Sequence, residues 1–111
     1  MHLGVEVPLG FTVLREPRIL PATIVEGLCA VALAVAAFAV LARASRAWTV
    51  ALAAHAFALG GVLLGITALA VGAGPSTELN TIYHRVMVLG LVTVLALLVS
   101  SAGRTALRGA A

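Results

Sequence analysis

Residues 22–42, ATIVEGLCAVALAVAAFAVLA, run for 21 positions with only Thr23 and Glu26 as polar interruptions. A helix needs about 20 mostly apolar residues to cross a ~30 Å hydrocarbon core. Pro17 and Pro21 stand on the approach, where proline suits a first helical turn and disfavours helix in the residue before it. The stretch therefore predicts a first membrane-spanning helix near 21–42. Arg43-Ala-Ser-Arg46 follows, a connection so short that the next helix must return beside the first.

The second span is predicted near 47–73. Trp48 stands at its start, where an interfacial aromatic is expected, and His55 is its strongly polar group. The run Gly72-Ala-Gly-Pro75-Ser76-Thr77 supplies a helix end and a turn, with Ser76 or Thr77 as the next N-cap and Glu78 favoured by the following helix dipole. The third clean apolar run covers only 86–99, too short to cross. To span, it must recruit Asn80–Arg85 and Ser100–Ala102, giving a span near 80–102 with Tyr83, His84 and Arg85 at the membrane boundary. The expected fold is an all-α integral membrane protein. It is an antiparallel bundle of three transmembrane helices, one domain over 1–111, led in by an interfacial or irregular segment at 1–17.

Composition agrees with that reading. The chain is 62% hydrophobic and 10% charged, with mean hydropathy +1.16, against roughly 25% charged in soluble domains. A soluble domain of this length buries only about 60–70% of what its unfolded chain exposes, too little to hide so much apolar surface. All seven cations are Arg, scattered without a run or interleaved aromatics, so no nucleic-acid partner is expected. The lone Cys29 has no intrachain disulfide partner. Residues 1–14 lack the basic start of a signal peptide, and Val5, Val7, Leu9, Phe11 and Val13 alternate as one short extended segment would.

Arginine placement predicts orientation. The 43–46 loop and the C-terminal tail share one side and hold four Arg and no acid. The other side mixes Arg15, Arg18 and Arg85 with Glu6, Glu16 and Glu78. By the positive-inside rule the N-terminus is expected outside and the C-terminus in the cytoplasm of a multi-pass cell-membrane protein.

Intramembrane polar residues are the candidate site. An ionisable group within a span is costly and marks function by default. Glu26 lies about 7–8 Å inside the first span at ~1.5 Å per residue, and His84 and Arg85 enter from the same boundary to a similar depth. A Glu26–His84 or Glu26–Arg85 pair is therefore expected, with Asn80 and Tyr83 adding hydrogen-bonding capacity. That group reads as a structural staple or as a proton- or ligand-handling site. His55 reads as a neutral histidine bonded to a backbone carbonyl, or as a haem or metal ligand. Its height differs from that of His84 by roughly 12 Å across a ~30 Å core, which argues against one haem ligated by both within a chain. Gly60, Gly61 and Gly65 form a small-residue face for close helix packing, within the chain or between copies, matched on the first helix by Gly27, Ala30, Ala34 and Ala37. No set of Cys, His and acidic residues has the spacing of a metal cage, and no phosphate loop or nucleophile triad is present.

These residues point to a small, non-catalytic membrane subunit that packs against itself or against a larger membrane complex in the lipid bilayer. The alternative is a transport or electron-transfer component, associated with haem or quinone, using the polar residues near the outer face. The size and three-helix plan resemble the membrane-anchor subunits of succinate dehydrogenase-type complexes, which bind haem and quinone. In those anchors a helical His is followed downstream by an Asp-Tyr pair, and this sequence contains no Asp.

Overall fold

The computed structural model describes residues 4, 6–8, 10, 11 and 13–108. Its body is helical: α1 (Leu20–Leu41), α2 (Ala47–Ala70), α3 (Glu78–Val99) and the short α4 (Ser101–Arg108). The first three are long and apolar enough to cross a membrane. Large apolar side chains stand outward along them, with Phe38 72% and Leu89 70% exposed.

The N-terminal segment departs from the expected irregular or single extended lead-in. Strands β1 (Glu6–Pro8) and β2 (Val13–Arg15) pair antiparallel, with Glu6 opposite Arg15. The chain reverses around Gly10, whose φ of 71° is open to glycine without steric cost. Alternation along 5–13 therefore does not describe one strand; Val5 and Leu9 lie outside the described residues. The exposed Arg15–Glu6 pair, at 3.0 Å, adds little to stability.

Each helix end follows local chemistry. Pro21 sits in the first turn of α1. Arg43 closes α1 in a left-handed conformation, φ 50°. Gly72 does the same for α2 at φ 78°, so α2 stops at Ala70 rather than near Ala73. Thr77 caps α3, its hydroxyl oxygen accepting from the Asn80 amide at 3.1 Å. Helix α3 takes in Asn80–Arg85 at its start but ends at Val99, because Ser100 turns extended (ψ 160°) and its hydroxyl accepts from the Gly103 amide to begin α4.

Packing is centred on α2. Helices α1 and α3 each lie along it and barely approach one another. The tightest core joins Ala36, Ala51, Ala54 and Leu98, small side chains that let backbones approach closely. At this end the Trp48 indole donates to the Leu98 carbonyl at 2.8 Å. The Arg108 guanidinium lies 3.9 Å above the Trp48 ring, and Leu107 joins the core. Helix α4 thus folds back over the ends of α2 and α3.

The opposite end is tied by a contact invisible to hydropathy. Glu16, counted above as a charge outside the span, is 7% exposed and accepts the Thr77 hydroxyl at 2.6 Å. Thr77→Val should destabilise the protein by roughly 2 kcal/mol or more, since it removes both an N-cap and a hydrogen bond to a buried carboxylate. Denaturant titration in detergent reads this directly; an unchanged midpoint would show the clasp to be energetically idle.

Candidate functional site

Glycines on α2 make room for the site. A Cβ built on Gly61 would lie 2.7 Å from the Cys29 sulfur and 3.2 Å from a Val25 methyl, both on α1. One turn on, a Cβ on Gly65 would lie 2.8 Å from Nε2 of His84 on α3. The paired glycines thus serve two different neighbours within one chain. Gly60 is not part of this face, since a Cβ there meets nothing within 4 Å. The helix α1 face that packs on α2 is also not the expected one. It runs through Val25, Cys29, Ala32 and Ala36, while Gly27, Ala30, Ala34 and Ala37 are exposed.

Between α1 and α3, against the glycine stretch of α2, lies a cavity of about 460 Å³. Its wall is mostly aliphatic, but one corner brings together Glu26, Tyr83 and His84, with Cys29 a turn from Glu26. Glu26 and His84 are each six residues into their helices, about 9 Å along the axis. The Tyr83 hydroxyl stands beside Glu26, within range of electrostatic interaction with its carboxylate. The Tyr83 and His84 rings meet edge to face, centroids 5.4 Å apart.

His84 is 7% exposed and its Nδ1 lies 2.8 Å from the Asn80 carbonyl oxygen. A carbonyl only accepts, so Nδ1 carries a proton, directed at the backbone of Asn80. Its side-chain amide is buried, with no hydrogen-bond partner among the described residues.

Arg85 is exposed and does not line this cavity. The corner therefore joins three of the singled-out residues, Glu26, Tyr83 and His84, and leaves Arg85 outside. His55 belongs elsewhere. It lines a second cavity of about 360 Å³ between α1 and α2 with Leu33, Ala36 and Ala51, and its Nδ1 donates to the Ala51 carbonyl at 2.7 Å. Among the described residues no three His, Cys, Asp or Glu side chains gather closely enough to hold a metal ion. The cavity itself, the Cys29–Gly61 contact and the Glu16–Thr77 clasp were not read from the sequence. The small residues on α2 hinted at the first two, and nothing in the sequence pointed to the clasp.

Comparison with known protein families, curated proteins and solved structures found no match to this chain.

Proposed function

We propose that the protein is a small, non-catalytic, multi-pass membrane subunit, an antiparallel three-span bundle with its N-terminus outside and its C-terminus in the cytoplasm. It assembles with itself or with a larger membrane complex. The observation that carries assembly is the exposed row Gly27, Ala30, Ala34 and Ala37 on α1, which no other helix of the chain covers. Within lipid, such rows favour close helix contact, because small residues let two backbones pack. The loops are short and the three long helices are apolar, which supports a role within the bilayer plane.

Assembly is tested by purification in mild detergent followed by sizing and identification of what co-elutes. A complex larger than one chain is expected, and Gly27→Leu should dissociate it while leaving the monomer folded. A single chain of unaltered size in both proteins would end the proposal. For orientation, a reporter fused after Ala111 should behave as cytoplasmic and one inserted at Gly74 as external. The reverse pattern would invert the topology.

A second reading is favoured by the Glu26–Tyr83–His84 corner: a membrane component that handles a ligand or proton near the outer face. Ionisable side chains gathered beside an apolar cavity are costly in a bilayer unless they serve a purpose. An optical spectrum of the purified protein separates the branches of this reading. A Soret band would favour haem-linked electron transfer, and its absence would leave ligand handling or transport.

A further inference from the structure

We infer that the end of the bundle formed by the α1–α2 turn and α4 binds an anionic phospholipid, its phosphate engaged by Arg104 and Arg108 of α4 together with Arg46 near Trp48. This rests on the reading that the three long helices lie in a bilayer, and is independent of assembly, of orientation and of the cavity between α1 and α3.

Charge at this end has one sign. Arg43, Arg46, Arg104 and Arg108 are all exposed. The acidic residues of the chain are Glu6, Glu16, Glu26 and Glu78; they belong to the lead-in, the first half of α1 and the start of α3, and none stands here. Arg104 and Arg108 are four positions apart on α4, so they are neighbours on one helical face. Like charges at that spacing destabilise a helix, and a shared anion turns the repulsion into attraction.

The fold sets the height of these groups. The Trp48 indole donates to the carbonyl of Leu98, the residue before the last of α3, so the ring stands level with the ends of α2 and α3. A tryptophan at the end of a span marks the headgroup layer. Had α3 run straight on, Arg108 would stand about 13 Å beyond Val99. The break at Ser100 instead returns its guanidinium to 3.9 Å above the Trp48 ring. Arg46, at the N-cap of α2, precedes Trp48 by two residues. Stacking on the indole uses the face of the Arg108 guanidinium and leaves its N–H edge for a phosphate. The Arg104 Nε–H donates to the Val99 carbonyl at 3.0 Å, which directs the side chain through Nε and not through its terminal amino groups.

Head-group chemistry follows from these donors. Guanidinium and phosphate form a bidentate, charge-assisted pair. A zwitterionic head carries its own cation beside the phosphate, so lipids of net negative charge are favoured. Helix α4 keeps Leu107 in the core and both arginines outward, the disposition of a helix lying in the interfacial plane.

Trp48 is the only tryptophan and stands inside the site, so it reports the test. The full chain is reconstituted in phosphatidylcholine vesicles in which a share of the lipid is phosphatidylglycerol or phosphatidylcholine with brominated acyl chains, which quench tryptophan on contact. Each is compared with its unbrominated counterpart, so changes in emission alone cancel. Phosphatidylglycerol is expected to bind beside Trp48 roughly fivefold or more tightly than phosphatidylcholine. The double substitution Arg104→Gln/Arg108→Gln should bring this ratio close to unity. Gly103→Ala keeps every arginine but displaces α4, and should lower the ratio roughly twofold or more. Arg18→Gln/Arg85→Gln removes as much charge from the other end and should leave it unchanged. Variants are compared at equal helix content, and a misfolded Gly103→Ala leaves the Arg104/Arg108 pair to decide. Equal quenching by the two brominated lipids in the wild-type protein would overturn this inference alone, whereas failure of both to quench would overturn the membrane reading with it. An equal fall in the Arg18/Arg85 variant would make net charge the cause, and an unchanged ratio in the Arg104/Arg108 variant would place the preference elsewhere; either result overturns the site. Loss of the preference when phosphate replaces chloride at equal ionic strength would assign these arginines to the free ion and overturn the lipid.

Discussion

Replacing Gly61 or Gly65 with leucine should lower the unfolding free energy in mild detergent by roughly 3 kcal/mol or more, the upper end of overpacking effects. Gly61 faces Cys29 and Val25 of α1, and Gly65 faces the His84 ring of α3, all at or inside van der Waals contact of an added Cβ. The His84 ring cannot step aside cheaply, since it is buried and tied to the Asn80 carbonyl. Gly60→Leu, one residue away, should be nearly silent because its Cβ would meet open space. Leu63→Ala and Leu64→Ala remove exposed side chains and should also cost little. Cys29→Ala should recover part of the loss in Gly61→Ala, where the sulfur is the closest obstacle, and none in Gly65→Ala. Thermal melts of this set read the pattern; equal sensitivity at positions 60, 61 and 65 would refute the packing.

The second large effect is expected at Gly103. A Cβ there collides with the Leu97 carbonyl oxygen, a main-chain atom that no rotamer change can move. Gly103→Ala should therefore displace α4 from the end of α3. Trp48 is the only tryptophan in the chain, and Arg108 of α4 covers its ring. Displacement should shift its emission and raise its quenching by a water-soluble quencher several-fold, roughly in line with losing a covered face of the ring and about 0.5–1 kcal/mol of cation–π attraction. Arg108→Gln removes only the cation and should produce a smaller change. Identical quenching in wild type and Gly103→Ala would show that α4 does not dock through this glycine.

The three long helices were readable because length and hydropathy alone fix them, as was the need for α3 to begin before its apolar run. A cap at Ser76 or Thr77 and glycine at the end of α2 follow from local backbone chemistry, which sequence carries directly; the structure decides for Thr77. Rotation of a helix about its own axis is another matter. A helix apolar on every side shows no preferred inward face, so nothing in the sequence favoured Val25–Cys29 over Gly27–Ala30 as the packing row of α1. The same freedom hid which residue of α3 would stand beside Glu26. Cost marked Glu26, His84 and Arg85 as unusual, yet only the rotation seen here brings Tyr83 and His84 to the cavity and leaves Arg85 out. The break at Ser100 was obscured because no turn residue or change of pattern marks it, so the preference of serine for caps had no second signal beside it. Burial of Glu16 depends on a contact 61 residues away, beyond any local signal.

The Glu16–Thr77 clasp bears on how anything arrives at the cavity. Ile19 comes close to Gly74, and both line one end of the cavity, the end beside the clasp. For the chain as proposed in a bilayer, the lead-in and the α2–α3 loop stand at the end nearest water, and the open flank lies sideways, between α1 and α3. A visitor by that flank must dissolve in the lipid before it is recognised. Its occupancy is governed by its concentration in the membrane rather than in the surrounding solution. Across a homologous series, apparent aqueous affinity should rise with each added methylene in step with membrane partitioning, by about 0.8 kcal/mol per CH₂, until the chain outgrows the cavity.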